Sequence, residues 1–181
     1  QAFATACVIP HLFHVVQGAR YTRQAGPHAS RFTYEDIPTC ADHVHYAGNR
    51  GPHAGSGRSD AAGGGHAHCG AMIYLGGQWP AEYKGAVFMG NIHGNRINMD
   101  VLEPRGSTFV GRHGPDFLLA NDAWFRMISL KYGPDGRVWF IDWYDKVRCH
   151  TLDPNANDRR NGRIYRVSYG EPRPPAPSAD L

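Results

Sequence analysis

The alternation of apolar and polar positions is clearest between Gly63 and Val101. Two short apolar runs, Ala71 to Leu75 and Ala86 to Ile92, are separated by a connection containing Gly76, Gly77, Pro80 and Gly85. A third run alternates from Arg96 to Val101. Each run has strand length and is bounded by turn residues, so the pattern predicts three sequential antiparallel strands. The entry to the first strand and the turn from the second to the third then lie at one end of the sheet. That rim would gather His66, His68, His93, Asn95 and Arg96.

Further along, Ser107 to Gly111 predicts a fourth, outer strand, and residues 113–122 cross to a second unit. There Met127 to Leu130 and Arg137 to Trp143 flank the turn Tyr132-Gly133-Pro134-Asp135-Gly136. Asp-Gly between apolar runs is a strong hairpin signal because both residues tolerate positive φ. Gly162 to Ser168 supplies a third strand. Before the central stretch, Leu12 to Val16 is rich in β-formers and is followed by a turn at residues 17–21.

The two units repeat. Gly85-Ala-Val-Phe-Met and Gly136-Arg-Val-Trp-Phe take matching second-strand places 51 residues apart, and Asn95-Arg96-Ile97 matches Gly162-Arg163-Ile164. A period of ~40 to 50 residues carrying about four short strands is the signature of a propeller blade. The expectation is an all-β chain forming part of a β-propeller, about two and a half blades. Residues 1–170 would be its C-terminal part, 24–65 a loop-rich insertion and 171–181 a proline-rich linker. The insertion lacks periodicity and carries glycines at 26, 48, 51, 55, 57, 63, 64 and 65 with His28, His43, His45 and His53. A short strand or helical turn is compatible with Tyr34 to His45.

Composition narrows the class. The chain has 181 residues, 41% of them apolar and 12% aromatic, enough for one domain with a core and too apolar for disorder. The net charge of +3 is spread along the sequence, which argues against a nucleic-acid partner. No apolar run approaches the ~20 residues that cross a bilayer. Gln1 is preceded by no initiator Met and begins no signal peptide, so the chain is expected to be a piece of something longer. Cys7, Cys40, Cys69 and Cys149 contain no CxxC pair, which leaves isolated thiols or one or two disulfides open.

Certain motifs carry a family likeness. Residues 133–143 (GPDGRVWFIDW) followed by 161–167 (NGRIYRV) resemble the last blade of soluble quinoprotein glucose/sorbosone dehydrogenase-like propellers. The wider set, ADH-HY, GRSDAAGGGHAH, GAMIYLGGQWPAEYKG, NIHGNRINMDVL, HGPDFLLAND and DWYDK, is similar to the propeller of large membrane-bound dehydrogenase-type proteins of planctomycetes and verrucomicrobia. The likeness covers roughly residues 5 to 170. It implies a bacterial periplasmic or cell-envelope redox protein. Its partners would be a small-molecule substrate, the remainder of its own propeller, and downstream helical-repeat and haem domains. No CxxCH segment is present, so the expectation is that this chain holds no haem.

The candidate site follows from the predicted rim. His66 and His68, on alternate positions, would face the same side, as two ligands of one metal must. The bland alternative is a pair of hydrogen-bonded rim histidines. Asp142 is a candidate general base or calcium ligand, or else it fixes a turn. Arg96 could clamp a carboxylate of a quinone or substrate, or pair with Asp100 or Asp122. The reading is therefore catalytic His66, His68 and Asp142, with His93, Asn95, Arg96 and Tyr144 holding a cofactor such as a quinone (PQQ-like) or calcium. The substrate would be sugar- or alcohol-like. The competing reading is a non-catalytic propeller binding protein or polysaccharide. A metal-dependent hydrolase would need a carboxylate within coordination distance of the histidines.

Overall fold

A computed structural model describes residues 1–7, 11–22, 35–45, 61–148 and 151–170. Most of the 24–65 insertion, Cys149 and the 171–181 linker lie outside the described residues. The described residues are all-β, built of three small antiparallel sheets that do not close on one another. The first is the hairpin β1 (Ala2–Thr5) with β2 (Leu12–Val15).

The central sheet runs in sequence order: β3 (His68–Ile73), β4 (Val87–Asn91), β5 (Arg96–Arg105) and β6 (Thr108–His113). The two-residue β7 (Leu118–Leu119) pairs with the start of β5. The third sheet is β8 (Met127–Tyr132), β9 (Val138–Asp142) and β10 (Arg163–Val167). Every strand expected from the periodicity is present, within a few residues. β3 begins three residues earlier than its apolar run, and β5 runs on past Val101 to pair with β6.

Both faces of the central sheet are buried, and they differ in character. On one face Phe88, Ile97 and Met99 join Met72, Tyr74, Trp79, Met127, Leu130, Val138 and Phe140 in the main apolar core between the second and third sheets. On the other, Val87 and Met89 meet Leu12 in a smaller cluster, and the alternation of β5 turns Asn98 and Asp100 to this side. The two sheets approach so closely that a Cβ on Gly90 would lie 2.5 Å from the Met127 carbonyl oxygen, and one on Gly70 2.6 Å from the Ser129 Cα.

The segment after residue 35 is strapped across the smaller core. Cys40 N donates to the Leu12 carbonyl (2.9 Å), Gly111 N to the Cys40 carbonyl (2.8 Å) and Asp42 N to the Gly111 carbonyl (3.0 Å). Residues 40–42 are thus wedged between β2 and β6, and the strap delivers His43 and His45 beneath the central sheet.

Candidate metal centre

Asp100 organises the site. It sits in mid-β5 opposite His113 of β6, with none of its surface exposed. His11, at the start of β2, brings Nε2 to 2.7 Å from Asp100 Oδ2. From the strap, His43 Nε2 lies 3.3 Å from Asp100 Oδ1 and 3.1 Å from His45 Nε2, itself 4.0 Å from Oδ1. One ligand atom from each of His11, His43, His45 and Asp100 therefore falls within a span of 4.8 Å. Bonds of ~2.0 to 2.2 Å from a tetrahedral metal put its ligand atoms ~3.3 Å apart, so this spacing suits a single ion.

Two more histidines extend the group. His45 Nδ1 and His68 Nε2 are 2.6 Å apart, a hydrogen bond that leaves His45 Nε2 facing Asp100 if Nδ1 carries the proton. Ligating imidazoles usually give their second nitrogen such a partner. His113 Nδ1 stands 4.0 Å from Asp100 Oδ1, and its Nε2 lies 3.9 Å from Asp116 Oδ1. His45 and Asp100 are closed off, whereas His43 and His113 keep 11% and 18% of their side chains in solvent. The centre opens on that side.

Burial dominates the electrostatics. It pushes His45 and His68 far below histidine's usual range, helped by the neighbouring imidazoles, and it lowers His113 as well. Burial also works to raise the Asp100 carboxyl, but hydrogen bonds and charge from His11 and His43 outweigh it and hold Asp100 well below the carboxylate range. For His43, burial opposes protonation and the Asp100 and Asp42 carboxylates more than offset it, so its pKa is raised. A metal takes imidazole in its neutral form and carboxylate in its ionised form, so the lowered His45 and the ionised Asp100 are ready for one, whereas His43 would give up its proton on binding. Three nitrogens to one carboxylate suit zinc, copper, iron or nickel, not calcium, which takes oxygen ligands.

The rim residues are distributed differently. His66 and His93 stack at 3.8 Å between ring centroids, with His93 N donating to the His66 carbonyl, so the two turns do share one end of the sheet. The expected alternation from His66 to His68 is interrupted because Ala67 adopts φ 63°. Consequently His66 stacks on His93 while His68 turns to His45. Gly63 and Gly64 are clasped by Asn91, whose Nδ2 donates to both carbonyls (2.9 and 3.0 Å), and Gly65 N donates to the His45 carbonyl. This glycine run holds the strap in place.

The other rim candidates serve internal contacts. Arg96 pairs with Asp116 (2.8 Å), in place of the expected Asp100 or Asp122. Asn95, at φ 52°, makes the β4–β5 turn and donates to the Phe125 carbonyl (3.0 Å). Asp142 is wholly buried, accepts from Arg126 N (2.7 Å) and Tyr144 N (3.0 Å) and receives the Arg163 guanidinium (2.6 Å). Its oxygens are thus engaged by amides and an arginine, which fits neither a calcium ligand nor a general base. The Arg163 guanidinium lies 3.4 Å from the Tyr144 ring centre, so that ring is already stacked. These partners do not fit a quinone clamp. Cys40 and Cys69 are thiols, and burial pushes Cys69 up to about 12.

Sequence reasoning did not assemble His11, His43, His45 and Asp100. Two signals were available: the His-x-His spacing of Asp42-His43-Val44-His45, and a carboxylate set between Met99 and Val101 in a strand with both faces buried.

A family described as a domain of unknown function (DUF7133) matches residues 3–171. The chain belongs to this family. Neither a curated protein nor a solved structure matches it. The DUF7133 description assigns no chemistry, so the site rests on its own geometry.

Proposed function

We propose that this chain holds one divalent transition-metal ion at His11, His43, His45 and Asp100, and that the ion serves a dehydrogenase-like redox protein built on a β-propeller. The observation that carries the metal reading is the convergence of four ligand atoms within 4.8 Å around a carboxylate with no solvent exposure. A fully buried carboxylate needs a cationic partner, a role that a bound ion would take over from protonated imidazoles. The propeller reading is supported by the two successive meanders, β3–β6 and β8–β10, whose first strands meet at Gly70 and Ser129 as neighbouring blades do at an axis. The likeness of residues 133–143 and 161–167 to sorbosone dehydrogenase-type blades supports a sugar- or alcohol-type substrate. On the open side, a bound ion would polarise a hydroxyl oxygen next to His113 and Asp116.

Metal analysis of the full chain after loading with zinc, copper(II) and iron(II) tests the first part. One ion per chain is expected for at least one of these metals, and its loss in Asp100→Asn. Absence of stoichiometric metal in the wild-type chain overturns it. Dye-linked oxidation of a panel of alcohols and aldoses by the metal-loaded chain tests the second. Failure to reduce the dye with any of them removes the dehydrogenase reading while leaving the metal centre standing.

A further inference from the structure

Arg126 is the residue whose environment the metal centre does not explain. It immediately precedes β8 and is only 2% exposed, among the most deeply buried large side chains of the described residues. Its Nη1 donates to the Phe125 carbonyl (2.6 Å). Its Nε and Nη2 are shut off from solvent and have no hydrogen-bond partner among the described residues. These two nitrogens form one edge of the guanidinium, the parallel donor pair that grips a carboxylate in two-point fashion. Arg163 uses this same edge on Asp142.

The surroundings favour an incoming anion. Arg126 forms part of the wall of a cavity of about 420 Å³ that also includes Ile92, Ile128, Trp143, Val147, Arg148 and Asn157. That size is in the range of small-molecule sites, which combine apolar walls with a few polar groups. Burial, and after it the nearby Arg148 charge, lower the Arg126 pKa to about 10 against the opposing pull of Asp142, Asp145 and Asp122. The nearby carboxylates are engaged elsewhere. Asp142 is paired with Arg163, and Asp145 accepts from Trp143 Nε1 and from the amides of Val147 and Asp158. Asp122 lies within 3.5 Å of Arg163.

We propose that this cavity is a binding site for a small organic carboxylate, gripped by the Nε–Nη2 edge of Arg126, met by Arg148 and Asn157, and seated against Trp143 and the two isoleucines. The exposed Arg148 side chain is the group that moves aside as the carboxylate enters, while Trp143 is held by its bond to Asp145. The site is independent of the metal centre and stands whether or not an ion binds there.

Benzoate titrated into the full chain, followed by calorimetry and by the indole fluorescence, tests this, with benzamide and inorganic phosphate as controls. Saturable benzoate binding is expected, at least tenfold tighter than benzamide and than phosphate. It should weaken at least tenfold in Arg126→Gln and severalfold in Arg148→Gln, and remain unchanged in Asp100→Asn. Should Arg126→Gln fail to fold, Arg148→Gln decides, since that side chain is exposed. Benzoate binding no tighter than benzamide, or indifferent to Arg148→Gln and Arg126→Gln, overturns the site. Phosphate binding as tightly as benzoate overturns the assignment to a carboxylate.

Discussion

Asp100 has no surface in water, and the groups nearest its oxygens are imidazole nitrogens. A carboxylate so placed is stabilised only by what its neighbours carry. Asp100→Asn should therefore lower metal affinity at least ~100-fold, more than the loss of an outer partner does. His68 is such an outer partner, and His68→Phe should cost ~10- to 100-fold, measured by competition with a chromophoric chelator. The same residues predict a pH dependence for the metal-free protein. His45, His68 and His113 have folded pKa values below the ordinary ~6.5. Below that pH the unfolded chain binds protons that the native one refuses, so stability falls as pH drops. The slope is up to about 1.4 kcal/mol per pH unit for each of His45 and His68. His43 acts oppositely: its contribution is complete below ~6.5 and fades as pH rises through its raised folded value. Asp100 contributes above its unfolded value of ~3.9 and matters only in stronger acid. Thermal melts in a chelator should thus fall from pH 6.5 to 5, and His68→Phe should flatten the slope. Asp142 belongs to a different class. Asp142→Ala removes the acceptor of two buried amides and of Arg163, and should destabilise by about 3 kcal/mol or more in urea unfolding without changing metal stoichiometry.

At the level of elements, the strands were legible because each carries a two-residue period and ends at a turn residue. Asp135-Gly136 and Asn95 announce their turns, and Gly136 and Asn95 do take positive φ. Strand ends were less legible. β3 starts at His68, three residues before its apolar run, because the buried face there is the histidine-bearing one and not a dry core. The pair β1 and β7 lacked a signal, being four and two residues long. Alternation failed at Ala67, where a left-handed residue sends two histidines to different partners. A close approach between elements sets one more prediction. Gly90→Ala puts a methyl against the Met127 carbonyl and should cost about 1 to 3 kcal/mol by denaturant unfolding. The mobile end of a side chain could yield to that methyl, but backbone cannot.

Over the whole molecule, the third sheet leaves one face open. Trp139, Ile141, Trp143 and Ile164 are 43 to 72% exposed, and Ile141 pairs directly with Ile164 across β9 and β10. Exposed apolar strips of this kind drive association. The full chain should bind a hydrophobic dye and elute above its monomer mass on light-scattering chromatography. Trp139→Lys with Ile164→Lys should abolish both while leaving the far-ultraviolet spectrum unchanged. The sequence by itself determined the all-β class, the order of the strands and the two units, because turn chemistry and alternation are written over neighbouring residues. Only the tertiary structure decided which polar groups share a site. His11 and Asp100 are 89 residues apart, and they meet because the β1–β2 hairpin packs against β3 and β6 and the 40–42 strap ties β2 to β6. The same holds for Arg126, whose Nε and Nη2 stay unpaired among the described residues because the surrounding strands and loops bond to one another. A linear pattern records where a charge lies along the chain; whether it finds an opposite charge is settled by segments far from it.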